Sequence, residues 1–289
     1  MTITVVFALA AGFANAVNIM VQHSATSGAP RRQGGVRLVL YLLGHPLWLL
    51  GWVAAAAGLA FHAIALHNGQ LAVVQPLLVT ELVFALVLRR LWIRQDVVRA
   101  AWVSAVAICV ALAVFLVTAN PHGGHATATG REWVSVLLLF GGVTAALVLL
   151  GLRGSPTRRA ALLATAASLT WALCATFIKT TTDTLATFGV LGMFLHWPIY
   201  ALVVCGIAGI VLQQAALHVG PLSVSQPLVV VVDPIASIVL SVWLFDERFT
   251  QNPIGTAGAV MAFAVMAAGV VVLSRTTPIH LDASRPARL

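Results

Sequence analysis

Along the chain, apolar residues gather into nine long runs separated by short polar breaks, at roughly 2–22, 40–66, 70–91, 97–118, 132–152, 159–181, 196–218, 222–245 and 253–274. At about 1.5 Å per residue, each run is long enough to cross a hydrocarbon core of about 30 Å as a helix. The pattern predicts an all-α polytopic membrane protein with nine transmembrane helices. The opening MTITVVFALAAGFANA ends like a signal peptide at Ala14-Asn15-Ala16 but lacks the basic segment that such peptides need. It is therefore expected to stay as the first helix. Thr182–Leu195, semi-apolar and Gly-interrupted, is the one candidate for a tenth crossing.

One stretch is written twice. Ala65–Leu77, ALHNGQLAVVQPL, returns 151 residues later as Ala216–Leu228, ALHVGPLSVSQPL, with nine identities in thirteen positions. Apolar composition repeats Leu and Val by chance, but not His, Gly, Gln and Pro in register. In each copy one run ends, the chain turns at Gly69 or Gly220, and the next run opens at a Gln-Pro pair. An internal duplication is expected, and a duplicated membrane half points to a transporter.

Composition sharpens this. The chain has 289 residues, 60% hydrophobic and 8% charged, with a mean hydropathy of +0.99. A soluble domain carries about 25% charged residues, so a water-soluble globule is excluded. The net charge of +8 does not indicate nucleic acid. The basic residues sit in short clusters between apolar runs and form no basic face. With nine helices and an external N-terminus, thirteen of the sixteen Lys and Arg fall inside. Only Arg131, Lys179 and Arg248 fall outside. A tenth crossing lowers the asymmetry to eleven against five, so nine is preferred. On this count the first Gln-Pro turn lies outside and the second inside. The fold is then two inverted four-helix repeats joined by a linker helix: residues 1–118, a linker at 119–158 with the fifth helix, and residues 159–289 with a cytoplasmic tail. The three cysteines lie within apolar runs and form no CxxC motif, so they read as packing residues.

Asp233-Pro234 in mid-run, then WLFDERF (Trp243–Phe249) and the Gly-rich IGTAGAVMAFAVMAAGVVVL, resemble the closing helices of the drug/metabolite transporter (DMT) superfamily, EamA-like. SLTWALCATFIK (Ser168–Lys179) resembles the opening helix of that superfamily's second half. Four helices per half with a separate middle helix look most like the NIPA-type magnesium transporter branch. EamA-like members have five helices per half. One is missing from each half here, so sites on those helices do not carry over. The resemblance implies a transporter fold and, at branch level, a magnesium cargo.

Charge at membrane depth is costly and marks a pathway or a buried pair. Glu81 and Asp233 sit near the middle of the third and eighth runs, six and seven residues past Gln75 and Gln226. Asp233 shares a helical face with Gln226, Ser237 and Ser241. Pro234 cannot donate a hydrogen bond and frees a carbonyl near Val230 to line a cavity. Asn15, Asn18 and Gln22 form a polar stripe on the first helix, fit for substrate contact or for interhelical hydrogen bonds. Of the neighbours Gln213 and Gln214, one is expected to face the bundle, and Gln213 aligns with His62 by the repeat offset. His62 reads as a core histidine ahead of a proton carrier. Lys179 is expected to snorkel to the headgroups from the end of its helix. Asp246-Glu247-Arg248 reads as an exposed polar turn, with a cation vestibule as the alternative. His122-Gly-Gly-His125 reads as a flexible external linker with no further ligands nearby. Trp92, Trp133, Trp197 and Trp243 read as interfacial anchors.

Enzyme motifs are missing: the sequence has no G-x-S-x-G, H-E-x-x-H or P-loop. The expected function is a secondary transporter of a small solute or metabolite in the cell membrane. It has no cofactor, its surroundings are lipid, and its substrate is coupled to protons if an intramembrane acid titrates. The site residues are Asp233, Glu81, Gln226, Gln75, Asn15, Asn18, Gln213 and Ser237. Should the cargo be a divalent cation, Asp233 and Glu81 are its metal contacts. A non-transporting component of envelope assembly is the alternative from another class.

Overall fold

The computed structural model describes residues 1–27, 46–92, 97–124, 128–220, 222–249 and 252–276. The Arg clusters at 31–37, at Arg94 and in the C-terminal tail lie outside them, as does His125.

Among the described residues ten helices run in chain order: α1 (Thr2–Ser27), α2 (Pro46–His67), α3 (Leu71–Leu78), α4 (Thr80–Leu91), α5 (Arg99–Ala119), α6 (Gly130–Gly151), α7 (Pro156–Leu195), α8 (Pro198–Val219), α9 (Leu222–Phe245) and α10 (Pro253–Thr276). Because α3 and α4 together make one span, the described residues hold nine segments long and apolar enough to cross a membrane. The chain is an all-α polytopic membrane protein.

Its burial pattern suits lipid. Large aliphatics such as Leu138 and Leu149 point outward, 72% and 67% exposed. Many buried positions hold small or hydroxylated residues, among them Ala11, Ala164, Ala167, Ser168, Thr176 and Ser241, beside larger ones such as Leu66, Ile108 and Phe245. Lipid tails are as apolar as leucine, so helices associate through close packing and hydrogen bonds. Ser168 shows both: its hydroxyl bonds Ala164 O at 2.8 Å within its own helix and approaches Leu228 O of α9 at 3.4 Å.

Local signals set the boundaries. Thr129 and Glu132 form a capping box at the start of α6. Ser155 accepts from Arg158 N ahead of Pro156 at the first turn of α7. The sixth span does not stop near residue 181: α7 runs on and turns only at Gly189, whose φ of 69° favours glycine. Thr182–Leu195 is therefore the C-terminal part of this span, not a separate crossing. The Gln-Pro pairs also fall one turn inside α3 and α9 instead of opening them.

Helix pairing follows a consistent scheme. α1 packs on α2 and on α3–α4, while α7 packs on α8 and on α9. α3 meets α9, α5 meets α10, and α6 rests chiefly on α7. The two turns of the repeated stretch meet α7 at well-separated levels, Gly220 at its start and Gly69 past its middle. Gly69 O accepts from Lys179 Nζ at 2.8 Å, whereas Gly220 stands so close to Pro156 and Ala160 that a Cβ there would clash. Nineteen residues of helix separate Ala160 from Lys179, about 28 Å.

A short ladder completes the Gly69 end. β1 (His122–Gly123) pairs antiparallel with β2 (Glu247–Arg248). The start of the supposed flexible linker is thus tied down, because Gly123 and Gly124 supply the left-handed conformations that the turn needs.

Candidate functional site

The third span breaks beside its acid. Pro76 has no N–H to donate, and the ladder tightens: Val79 N bonds Pro76 O at 3.2 Å and Thr80 Oγ1 bonds Leu77 O at 2.6 Å. α4 then begins at Thr80 and carries Glu81 in its first turn, Val79 between the two helices keeping a helical conformation. Asn15 of α1 hydrogen-bonds Glu81. Two glycines make room: a Cβ at Gly58 would stand 2.4 Å from Asn15 Oδ1, and one at Gly12 would stand 3.2 Å from Thr80 Oγ1.

Asp233 approaches from α9. Ser237, fully buried one turn on, donates to its Oδ1 at 3.3 Å. Pro234 leaves the carbonyl of Val230 without its helical donor. Glu81 lies within electrostatic reach of Asp233, and Cys174 of α7 lies near it too. Two half-buried carboxylates, one at the head of a broken helix and one beside a proline, thus converge within the bundle.

Of the residues expected from sequence, Asp233, Glu81, Asn15 and Ser237 come together. Of the other four, Gln75 and Gln213 hold pairs elsewhere. Gln75 is buried and meets His62 at 3.3 Å, so His62 is a partnered core histidine. Gln213 accepts from Trp171 Nε1 at 2.8 Å, while Gln214 points out of the bundle. Asn18 lies against Gly51, its Oδ1 buried and without a protein partner. Gln226 is half-buried two turns before Asp233.

A second polar cluster escaped the sequence. Lys179 does not snorkel: it is 7% exposed and donates to Leu66 O and Gly69 O at 2.9 and 2.8 Å. Its helix continues past it, so the ammonium is held among neighbouring helices. Glu247 is no exposed turn residue. It is 2% exposed, and its two oxygens accept from Leu71 N at 2.7 Å and Ala72 N at 3.0 Å, capping α3 from across the molecule. Burial pushes the Glu247 carboxyl above its ordinary range, against the pull of those two N–H groups and of Lys179. Asp183 bonds His67 Nδ1 at 2.5 Å. These groups line a cleft of about 220 Å³ with Asn68, Gln70 and Gly124. The signals available were faint: a single lysine inside a helix longer than expected, and a Glu beside an apolar run.

Trp133 is likewise not an interfacial anchor. It is 5% exposed and stacks on Phe177 with ring centroids 5.0 Å apart, while Trp92, Trp197 and Trp243 remain exposed. Among the described residues, no group of three or more His, Cys, Asp or Glu is placed to hold a metal ion.

These features belong to an all-α polytopic membrane protein that carries two acids, Glu81 and Asp233, within its helical bundle. No protein-family model matches the chain, and no solved structure matches it. An uncharacterized protein of Corynebacterium glutamicum is 27% identical over 285 residues, covering 98% of each chain.

Proposed function

We propose that the protein is a secondary transporter of a small solute, working by alternating access between two inverted four-helix halves. The observation that carries this is the convergence of Glu81 and Asp233 from the third and eighth spans. Acids at this depth mark ion or substrate pathways, and the third span kinks at Pro76 one turn before Glu81. The pairing of α3 with α9 and of α5 with α10, and the separation of the two repeated turns by about 28 Å along α7, support inverted halves at residues 1–118 and 159–289 with α6 as the link. The Arg distribution supports the cell membrane as location, with the N-terminus outside and the tail cytoplasmic. The resemblance to EamA-like transporters points the same way.

The same pair of acids favours a second cargo. Mg²⁺ keeps several of its waters and is commonly held by one or two carboxylates, which Glu81 and Asp233 supply. Proteoliposomes loaded with a pH-sensitive dye, or separately with a Mg²⁺-sensitive dye, distinguish the two. Proton movement driven by a member of a small-solute panel supports solute transport, whereas Mg²⁺ entry without it supports the cation. No flux of either kind above that of protein-free liposomes would leave a non-transporting membrane component as the better description.

A further inference from the structure

The cluster at the Gly69 end joins parts of the chain far apart in sequence, and every bond in it grips one short turn. Lys179 holds the carbonyls of Leu66 and Gly69, which end α2 and form the turn. Glu247 holds the N–H groups of Leu71 and Ala72, which open α3. Asp183 holds the ring of His67 between them. All three side chains come from residues 159–289, and all five groups they grip lie within residues 66–72. Helix ends leave such carbonyls and N–H groups unsatisfied, and a membrane-depth bundle must supply partners for them. Here the partners come from across the interface between the two halves, not from the turn's own neighbours. The exception is Thr4, which bonds Asn68 O at 2.9 Å and ties the turn to its own half.

A half-broken set of such bonds leaves buried charge without a partner, which favours all of them made or all of them parted. We propose that Lys179, Asp183 and Glu247 form the outer gate of the transport pathway, a clasp that holds the α2–α3 turn shut over the acids in this conformation. This rests on the transporter proposed above and adds how that site is closed to one side. The geometry supplies a lever: α3 runs from the clasped residues Leu71 and Ala72 directly to the Pro76 kink and the tightened turn at Val79, beside Glu81. Releasing the turn therefore frees the half-helix that positions one of the two acids.

The test needs no substrate. In a cysteine-free background, Ser237→Cys places a thiol beside Asp233, and an impermeant maleimide is added from the outside of intact cells. With the clasp unaltered, labelling should stay at background. Lys179→Met, Glu247→Gln and Asp183→Asn, each shown to be folded by size-exclusion chromatography, should raise the rate about tenfold or more by shifting the closed–open equilibrium. Arg248→Ala, on the exposed face of the same loop, should not. Rapid labelling with the clasp intact would overturn the proposal without any clasp variant. So would folded clasp variants that label at the unaltered rate, which would make the three residues caps only. Neither result bears on whether Asp233 couples transport, which flux measurements decide separately.

Discussion

Glu247 caps a helix that begins 176 residues earlier: its Oε1 accepts from Leu71 N at 2.7 Å. The contact joins the C-terminal end of the eighth span to the start of the third and leaves almost none of the carboxylate exposed. Glu247→Ala strips two buried N–H groups of a charged acceptor. Thermal unfolding in detergent should show a loss of about 2–3 kcal/mol.

The same carboxyl gives stability a pH dependence. Burial raises its pKa in the folded protein, so the folded state holds the proton more tightly than the unfolded chain does. Stability therefore falls as pH rises from the ordinary carboxyl value through the folded one, and is level above that. Glu247→Gln removes the titration. The difference in melting temperature between wild type and Glu247→Gln should move against the wild type as pH increases across this window. A difference independent of pH would show that Glu247 titrates normally.

Glycines on the second span tell a sharper story than their number suggests. Gly58 admits Asn15, the hydrogen-bond partner of Glu81. Gly58→Ala should displace Asn15 and cost about 1–3 kcal/mol through overpacking, with a loss of flux. Gly141→Ala, where a Cβ meets nothing within 4 Å, should be neutral or slightly stabilising in the same assays.

Much of this was legible in the sequence. The runs marked the spans because a membrane fixes both their length and their apolarity, and Asp233 and Glu81 stood out because charge is rare there. Of the neighbouring glutamines, the prediction that only one faces inward follows from helix geometry, and Gln213 is that one. What could not be read depended on tertiary partners. Threonine and alanine after residue 181 suit a helix or a loop, so the length of α7, and with it the burial of Lys179, was set by packing. Glu247 looks solvated until the helix end it caps is brought beside it. The break at Val79 was half-visible in Pro76, but its position beside Glu81 was not.

Topology has its own check. Arg131 and Thr157 flank α6 and are both exposed. In a cysteine-free protein, Arg131→Cys should react with an impermeant maleimide in intact cells and Thr157→Cys only after lysis. The reverse pattern would invert the proposed orientation.

The most direct measurement concerns Asp233. Asp233→Asn keeps the side chain's size and its hydrogen bond with Ser237 but cannot bind and release a proton. In proteoliposomes, with the wild-type protein moving its cargo under an imposed gradient, the folded Asp233→Asn protein should fall to the flux of protein-free liposomes. Glu81→Gln should be strongly impaired by the same test. Wild-type flux with unchanged pH dependence in folded Asp233→Asn would contradict the proposal that the paired acids are the coupling site.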